Sequence, residues 1–496
     1  MMSNSDVTRR EAMQNIGGGA AGVALAGAMM STLTRCGLGG EQPNILWLIS
    51  EDTSPDYGCY GESLVQSPNV DGLAAEGIRF TRTYTTAPVC SASRSAFMTG
   101  MYQTSIGAHQ HRTLEKKPLP SDVQVITEYF REAGYFTSNC AGLSFDTPGK
   151  TDWDFAVEDE AFDGTHWSQR KEGQPFFSQV NFSMTHRVFK RDPERPIDPN
   201  KVNLPPYYPD HPITRRDWAD YLESIQVLDN QIGEVLQKLE DDGLAENTIV
   251  FYFGDHGRPH MRGKQWLYEG GIHVPFIVRF PDRRMAGTTR DDLVSALDFA
   301  PTAMKLAGIK PPKHLQGQDI LSDSATGRKY MFSARDRCDE TFDRIRCVSN
   351  GRYKLIRNYH PDRPYTQMNV YKRNQYPVVS LMEILSKQER LTPAQMRWMA
   401  PTRPAEELYD LETDPYEIHN LVNDSAQKSV LDDLRNQLDR WVVETGDMGE
   451  NPEPPEEMEH WVPFMQQQWE KWMTAKGLSP DITDEEYLRW WEEQLF

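Results

Sequence analysis

The chain has 496 residues, enough for two domains or for one large domain with an appendage. With 38% hydrophobic and 25% charged residues, it has the composition of neither a disordered nor a fibrous protein. Its 53 Lys and Arg against 73 Asp and Glu give a formal charge of −20, which repels polyanions and argues against nucleic-acid binding. An anionic substrate would have to be bound by a few concentrated cations.

Residues 1–40 have the pattern of an export signal. Thr8-Arg9-Arg10 precedes an uncharged stretch whose apolar core, Ile16–Met30, is too short for a stable membrane span. A paired arginine before such a core is typical of a twin-arginine leader, so we expect a periplasmic or extracellular protein. An ordinary flexible terminus is the alternative interpretation of the same residues.

Apolar runs alternate with helix-like segments between Asn44 and Phe280. Strands are predicted where short apolar runs are bounded by polar or turn residues, at Asn44–Ser50, Pro175–Ser183, Asn247–Gly254 and Phe276–Phe280. Helices are predicted at Pro68–Gly77, Val123–Phe130 and Ile225–Leu239. This alternation predicts an α/β fold whose parallel sheet is covered by helices on both faces.

The pattern changes after residue 330. Short strand-like segments at Tyr330–Ala334, Arg346–Val348 and Tyr353–Arg357 precede a Pro-rich stretch and a helix near Gln427–Val443. We therefore divide the chain into the signal (1–40), a catalytic domain (41–330), a smaller α+β domain (331–445) and an acidic, Trp-rich arm (446–496). The arm is expected to be packed, because so many exposed tryptophans would favour aggregation.

Acidic side chains follow two of the predicted strands. Glu51-Asp52 comes directly after Asn44–Ser50, and Asp255-His256 follows Asn247–Gly254. Open α/β sheets bind ligands at the carboxyl ends of their strands. Between the two pairs lies the segment Cys90–Arg94, which continues to Thr99-Gly100. Taken alone, a cysteine there would be a buried structural thiol.

This C-x-A-x-R segment followed by Thr-Gly resembles the type I sulfatases of the alkaline phosphatase superfamily. The resemblance extends from Pro43 to Val443 and includes Leu408–Glu417, which matches the sulfatase signature L-Y-D-L-x-x-D-P-x-E. It implies an α/β fold with a central mixed, mostly parallel sheet between helices and a smaller C-terminal α+β domain. It also implies an enzyme that hydrolyses the O-sulfate or N-sulfate groups of a sulfated carbohydrate.

The resemblance further implies a modified cysteine and a metal ion. Cys90 would be oxidised to formylglycine by a formylglycine-generating or sulfatase-maturing enzyme, and the hydrated aldehyde would attack sulfur. The implied metal ligands are the oxidised Cys90 together with Glu51, Asp52, Asp255 and His256. Hard oxygen ligands favour Ca²⁺, with Mg²⁺ as an alternative. Glu51 and His256 replace the family's usual Asp and Asn, and the imidazole nitrogen makes Mn²⁺ a further alternative.

Three more catalytic residues are implied by their positions in family motifs. Arg94 is expected to hold and orient the formylglycine hydrate. Lys264, in a match to the family's G-K-x-x-x-Y-E-G-G, is expected to contact the sulfate. His186, just after a predicted strand, is expected to protonate the leaving alcohol, although a lone histidine is more often structural.

One family motif is absent. Most sulfatases carry K-x-H after the strand that follows the Val123–Phe130 helix, and here Ala141–Ser144 (AGLS) occupies that place. Lys150, slightly further along the chain, is a candidate to supply the missing lysine. A solvent-facing loop lysine is the equal alternative.

A cluster of both charge signs opens the second predicted domain. Its members are Arg335, Asp336, Arg337 and Arg344, with His360 as a weaker candidate. Because arginine binds carboxylate or sulfate bidentately and acids bind sugar hydroxyls, the cluster is a candidate saccharide subsite. A solvated loop of surface ion pairs is the alternative. The layout of Arg346–Tyr359 and Gln437–Asp447 is most similar to the heparan N-sulfatase (N-sulfoglucosamine sulfohydrolase) branch, from which the absent K-x-H departs.

Two other functions stay open at this point. A phosphate or phosphonate ester hydrolase of the same superfamily would favour additional metal or cation ligands, and the sequence has no second metal cluster. A non-catalytic glycan-binding relative would keep Cys90 as a thiol. The Cys90–Arg94 motif and Lys264 argue against this third function, whereas the absent K-x-H argues for it.

Overall fold

Two β-sheets organise the part of the chain that the structure describes. The structure is a computed structural model, and it describes residues 42–157, 160–322, 325, 327–367 and 369–496. The predicted export signal, residues 1–40, lies outside the described residues. One sheet has eight strands and the other has four.

The larger sheet is mixed and mostly parallel, as predicted. Its strands are β1 (Asn44–Ser50), β2 (Ile78–Tyr84), β3 (Phe136–Ala141), β4 (Ser144–Pro148), β5 (Phe176–Phe182), β6 (Thr248–Gly254), β7 (Phe276–Arg279) and β8 (Thr288–Ser295). Their order across the sheet is β4-β3-β5-β1-β6-β7-β2-β8. Strands β3, β5, β1 and β6 are parallel, as are β2 and β8, whereas β4 and β7 are antiparallel to their neighbours.

Strand β1 lies at the centre of this sheet, and all seven of its residues are buried. Successive side chains of a strand point to opposite faces. Leu46 and Leu48 therefore join one hydrophobic core, while Ile45, Trp47 and Ile49 join a second core on the other face. A strand buried on both faces has the continuous apolar sequence seen here, NILWLIS.

Helices cover both faces of the sheet. The α-helices are α1 (Pro68–Glu76), α2 (Cys90–Thr99), α3 (Ile126–Glu132), α4 (Pro212–Asp241), α5 (Glu269–Ile272), α6 (Phe299–Leu306), α7 (Val370–Gln375), α8 (Pro377–Lys387), α9 (Pro393–Trp398), α10 (Lys428–Glu444), α11 (Pro455–Ala475) and α12 (Asp484–Leu495). Leu228 and Ile232 of α4 pack in the Leu46 core, whereas Phe97 of α2 and Phe130 of α3 pack in the Trp47 core. Within the described residues, no helix has both the length and the apolar character required to cross a bilayer.

The smaller sheet is antiparallel and forms the C-terminal sheet domain that was predicted. Its strands are β9 (Met331–Arg335), β10 (Ile345–Ser349), β11 (Tyr353–Asn358) and β12 (Glu406–Asp410), in the order β12-β11-β10-β9. Helix α10 covers one face of it, with Leu434, Leu438 and Trp441 packed against Val348 and Leu355.

The last two helices pack against the body of the protein. Trp469 of α11 and Trp491 of α12 are buried in one cluster with Ile213 of α4. The segment before α11 is fixed by an ion pair between Glu453 and the fully buried guanidinium of Arg337, at 2.7 Å. The tryptophan-rich composition of the C-terminus therefore corresponds to helix packing.

Strands β2, β4 and β8 were not predicted. The sequence of β2, IRFTRTY, places two arginines among its apolar residues, and β8 is largely exposed over its first half. Strand β4 lies at the sheet edge, where four of its five residues are exposed. Strands β4 and β8 are the two edges of the sheet, where few apolar side chains are needed, so the periodic apolar pattern used for prediction is weak in them.

Candidate active site

The predicted metal ligands and catalytic residues converge where β1 and β6 end side by side. These strands are parallel neighbours, and their register pairs Ser50 with Gly254. Both strands are therefore followed by site residues at their carboxyl ends, Glu51-Asp52 after β1 and Asp255-His256 after β6. The backbone N–H of Asp52 donates to Asp255 Oδ1 at 3.0 Å and fixes the two segments to each other.

Cys90 is the first residue of α2 and is 1% exposed. Its Sγ lies 3.1 Å from His256 Nε2, 3.6 Å from Lys264 Nζ and 3.9 Å from Asp52 Oδ1. Burial raises the pKa of this thiol, but the positive charges of Lys150, Lys264 and His256 outweigh burial and lower the pKa. The N-terminal end of a helix also favours a thiolate. The surroundings of Cys90 therefore differ from those of an inert core thiol.

Asp52 connects the two cations nearest the cysteine. Its carboxylate accepts hydrogen bonds from Lys264 Nζ at 2.9 and 3.0 Å and lies 3.0 Å from His256 Nε2. Burial raises the pKa of this carboxyl, but Lys264 and His256 hold it well below its usual value. Asp52 is thus ionised inside the protein, and Lys264 keeps its charge for the same reason.

Residues 255–268 connect β6 to α5 and are called the Lys264 loop. This loop and the start of α5 are held by close backbone packing. A Cβ atom at Gly263 would lie 2.2 Å from the carbonyl oxygen of Arg258, and one at Gly271 would lie 2.0 Å from that of Trp266. Only glycine fits these approaches. The N–H of Gln265 donates to the carbonyl of Pro88 at 2.7 Å, which ties the loop to the segment that leads into Cys90.

Arg94 lies one turn along α2 from Cys90. Its Nε donates to Asp255 Oδ2 at 3.0 Å, and its Nη1 donates to Asn181 Oδ1 at 2.6 Å. Asn181 was not predicted, although it lies near the carboxyl end of a predicted strand and pairs in register with Ile49 of β1. That position at the functional edge of the sheet was the signal that could have identified it.

The structure places Lys150 in the cluster. Its Nζ donates to Glu51 Oε2 at 2.8 Å, and its carbonyl accepts from Arg94 Nη1 at 3.2 Å. The preceding residue allows this approach, because a Cβ atom at Gly149 would lie only 2.4 Å from the carbonyl oxygen of Cys140. The sequence left two interpretations of Lys150, a cation of the active site or a solvent-facing loop lysine. Its contacts with Glu51 and Arg94 favour the first.

The donor set fits a divalent cation. One ligand atom each of Asp52, Cys90 and His256 lie within 4.8 Å of one another, and Asp255 Oδ1 lies 3.8 Å from His256 Nε2. Glu51 is outside this group of three, and its Oε2 accepts from Lys150 Nζ at 2.8 Å. Burial lowers the pKa of His256, but Asp255, Cys90 and Asp52 outweigh it and raise the pKa to about 10. The same carboxylates that would bind a metal thus stabilise positive charge at this point. Carboxylate oxygens suit Ca²⁺ or Mg²⁺, and the imidazole suits Mn²⁺.

His186 lies beside this cluster and is half-buried. Its Nδ1 lies 2.7 Å from the carbonyl oxygen of Arg187, which orients the ring. Burial lowers the pKa of His186, and the nearby Asp52 partly opposes this effect.

All five predicted substrate residues have structural partners. Asp336 accepts from Arg346 at 3.0 Å, and Arg337 is bidentate to Glu453. The guanidinium of Arg344 stacks on Tyr359 at 4.0 Å, and the His360 ring packs against Phe342 at 5.2 Å. Arg335 pairs with Asp343 at 3.3 Å and also lines a cavity next to the Lys264 loop. The predicted subsite is thus not assembled as one cluster around the cysteine.

A family model described as Sulfatase matches residues 43–309, more than half of the chain. The chain belongs to the sulfatase family. A second family model, N-sulphoglucosamine sulphohydrolase C-terminal, matches residues 254–390 of this sulfatase, in agreement with the branch predicted from the sequence. Sulfatases are sulfuric ester hydrolases, so the buried cysteine, lysines and carboxylates lie in an enzyme of that class.

Known relatives and solved structures agree with this assignment. An "Ulvan-active sulfatase" of Formosa agariphila is 36% identical over 467 residues, which cover 83% of this chain and 77% of the relative. Human "N-sulphoglucosamine sulphohydrolase" is 25% identical over 462 residues, covering 82% and 90%. The solved structure of a "2-O GAG sulfatase" superposes with a TM-score of 0.62 at 19% identity, covering 83% and 94%, and shows that the fold is shared.

We predict that Lys150→Met lowers kcat/KM for sulfate ester hydrolysis by about 10²–10³-fold, because a half-buried cation beside the anionic reacting group is removed. Steady-state kinetics on 4-nitrophenyl sulfate would measure this loss. Lys171→Met, which removes an exposed lysine, is the matched control and should leave kcat/KM unchanged. A loss below twofold in Lys150→Met would return Lys150 to the role of a loop lysine.

Proposed function

We propose that this sulfatase is an exported enzyme that removes sulfate from a sulfated carbohydrate, using a formylglycine formed from Cys90 and a divalent cation, with Ca²⁺ preferred. The observation that carries the proposal is the position of Cys90 at the start of α2, 3.1 Å from His256 and 3.6 Å from Lys264. The paired arginine and short apolar core of residues 1–40 support export. We retain the division into a catalytic domain (41–330), a smaller domain (331–445) and an arm (446–496).

Each charged side chain has a distinct task in this proposal. When present, formylglycine supplies a hydroxyl nucleophile with a route for sulfate release, which serine would lack. Lys264 and Lys150 bind the sulfate oxygens and stabilise the negative charge that develops on them. Arg94, fixed by Asp255, orients residue 90. Because Lys264 and Arg94 are buried and Lys150 is half-buried, their attraction for the sulfate is weakened by water less than that of surface cations.

Glu51, Asp52, Asp255 and His256 would hold the divalent cation next to residue 90. The cation would supply positive charge that favours the ionised nucleophile and screens the sulfate. Formation of formylglycine would require a formylglycine-generating or sulfatase-maturing enzyme as a partner.

Protonation of the leaving group falls to His186 in this proposal. Its Nδ1 faces the carbonyl of Arg187, so Nε2 is the nitrogen that can deliver a proton. A sugar alkoxide is a poor leaving group, and a positioned acid accelerates its departure by about 10²–10⁴-fold.

The first substrates to test follow from the relatives. The ulvan-active sulfatase of Formosa agariphila makes ulvan the first choice, and the human N-sulphoglucosamine sulphohydrolase makes N-sulfated glucosamine the second. A phosphate or phosphonate ester hydrolase is less well supported, because within the described residues one group of metal-ligating side chains is close enough to hold an ion.

We predict that the peptide bearing Cys90 has the mass of the aldehyde, not of the thiol, in protein isolated from its own host. Mass spectrometry would measure this, and the peptides bearing Cys59, Cys140 and Cys338 provide controls that stay thiols. Cys90→Ala should abolish turnover of ulvan oligosaccharides and retain the far-ultraviolet circular dichroism spectrum. Full activity of Cys90→Ala would refute the mechanism. An unmodified thiol in a protein that binds glycans would support the binding function instead.

We predict that Ca²⁺ raises the unfolding temperature of protein first treated with a chelator, because a ligand that binds only the folded state stabilises it. At a concentration of 100 Kd the expected stabilisation is about 2.7 kcal/mol. Differential scanning calorimetry with Ca²⁺, Mg²⁺ and Mn²⁺ would rank the ions. Asp52→Asn should lose the shift, and Asp291→Asn, which changes an 87% exposed side chain, should keep it. An unchanged shift in Asp52→Asn would contradict the assigned site.

We predict that His186→Gln lowers kcat on a sugar sulfate by about 10²–10⁴-fold and has a much smaller effect on 4-nitrophenyl sulfate. The nitrophenolate leaves without a proton, whereas the sugar alkoxide does not. In the wild type, kcat on the sugar sulfate should fall as the pH rises through the pKa of His186, which burial holds below its ordinary value. This fall of kcat with rising pH should be absent from His186→Gln. It should be present in His419→Gln, the control, which changes an exposed histidine. Equal losses on both substrates would exclude His186 as the acid.

A further inference from the structure

A small cavity is lined in part by the Lys264 loop. Its lining includes Gln265, Trp266, Arg335, Asn369 and Lys372, and its volume is about 50 Å³, which is room for a group the size of a carboxylate or sulfate. These residues come from the Lys264 loop, from the end of β9 and from the start of α7.

The cavity wall contains polar hydrogen-bond donors without acceptors. Gln265 is 1% exposed and its Nε2 has no hydrogen-bond partner, and the same is true of Nε of Arg335, which is 3% exposed. In the described part of the chain, the hydrogen bond of the Lys372 ammonium is to the carbonyl oxygen of Met261, at 3.2 Å. Buried polar groups in native proteins are normally paired, so unpaired donors facing one cavity indicate a ligand with acceptors.

Positive charge exceeds negative charge around this cavity. Arg335 and Arg403 share one carboxylate, that of Asp343, and Lys372 has no carboxylate partner among the described ion pairs. Arg335 lies over the Trp266 ring at 4.4 Å and Lys372 lies 5.9 Å from the same ring, which holds both cations at the wall.

The acidic groups nearby do not neutralise Lys372. Asp339 lies 3.0 Å from His111, and Glu383, which also lines the cavity, is half-buried with its pKa raised by burial. Burial, with the neighbouring Arg335 adding to it, holds the pKa of Lys372 well below its usual value. A bound anion would stabilise the protonated, positively charged form of Lys372 and raise its pKa.

Two residues that line the cavity directly follow, in the sequence, residues at the catalytic cluster. Lys264 contacts Asp52 and Cys90, and the next residue, Gln265, lines the cavity. Tyr371, whose ring centre is 5.5 Å from Lys264 Nζ, is followed by Lys372. Consecutive Cα atoms are about 3.8 Å apart. The two sites are therefore close enough for neighbouring sugars of one glycan chain.

We propose that the cavity formed by Gln265, Arg335 and Lys372 binds a second anionic group of the same substrate chain, a carboxylate or an additional sulfate, on a sugar next to the one that is desulfated. This inference rests on the proposed function and names its substrate class. The substrate is a polyanionic glycan with anionic groups on adjacent sugars. A charge-assisted hydrogen bond to the cavity would favour that chain over singly charged sulfate esters.

Binding measured without turnover tests the cavity independently of the reaction. Isothermal titration calorimetry on Cys90→Ala would use ulvan oligosaccharides in two forms, untreated and with their carboxyl groups reduced to alcohols. The double variant Cys90→Ala, Lys372→Met should bind the untreated oligosaccharides about 10–100-fold more weakly than Cys90→Ala does. This is the loss expected for one charge-assisted contact. If carboxyl reduction abolishes the difference between the two variants, the second anion is a carboxylate. If the difference persists, the second anion is a sulfate.

Turnover in the Cys90-containing protein supplies the second measurement. Lys372→Met should lower kcat/KM on the oligosaccharide about 10-fold or more beyond any loss on 4-nitrophenyl sulfate, mainly through KM. Gln265→Met should act in the same direction, and Lys471→Met, at an exposed position, is the matched control. An unchanged Kd for untreated oligosaccharide, or equal losses on both substrates, would overturn the second site. Failure of the wild type to release sulfate from any ester, with binding still dependent on Lys372, would instead refute the proposed function alone.

Discussion

Asp52 and Lys264 form an ion pair from which water is excluded, and the rest of the site is arranged around it. Taking two charges out of water costs several kcal/mol each, and their mutual attraction offsets this cost only with good geometry and further hydrogen bonds. Both are present here, because Lys264 Nζ contacts both carboxylate oxygens and His256 lies 3.0 Å from one of them. The pairing continues outward, with Arg94 on Asp255 and Lys150 on Glu51. Each carboxylate depends on a cation from a different segment, so the segments hold one another in place.

The local charge of the pocket differs from that of the whole molecule. The chain carries a formal charge of −20, yet Lys150, Lys264 and Arg94 converge within one small volume. At physiological ionic strength, charges on the surface are screened beyond about 8 Å, whereas buried charges are screened far less. Because Asp52, Asp255 and Glu51 each pair with one of these cations, the site is far closer to neutral than the molecule as a whole. A divalent cation held there would give it the positive charge that an anionic substrate requires.

The elements and the core of the site were predictable because their signals are local. The apolar run of β1 and the acids that follow it specify a buried strand and its functional end, and the Cys90–Arg94 motif and the Lys264 motif are contiguous in sequence. The contributions of Asn181 and Gln265 were not predictable in this way. Each depends on which strand or loop lies beside it in space, and a single sequence does not encode that neighbour directly. The predicted saccharide cluster shows the same limit, since Arg337 and Asp336 have the right chemistry but are paired with Glu453 and Arg346.

In the proposed mechanism, Lys150 supplies the positive charge of the absent K-x-H lysine from a different place in the chain. Its Nζ reaches Glu51 from beyond the β3–β4 hairpin, and the tight approach of Gly149 to β3 makes this path short enough. A search that requires the lysine and histidine at their customary spacing would class such a chain as inactive. For homologues with the same hairpin, the side chain that enters the pocket is therefore a better criterion for competence than the linear motif. Insertions or deletions between Ala141 and Gly149 would alter the electric field at residue 90 without changing any residue of the pocket itself.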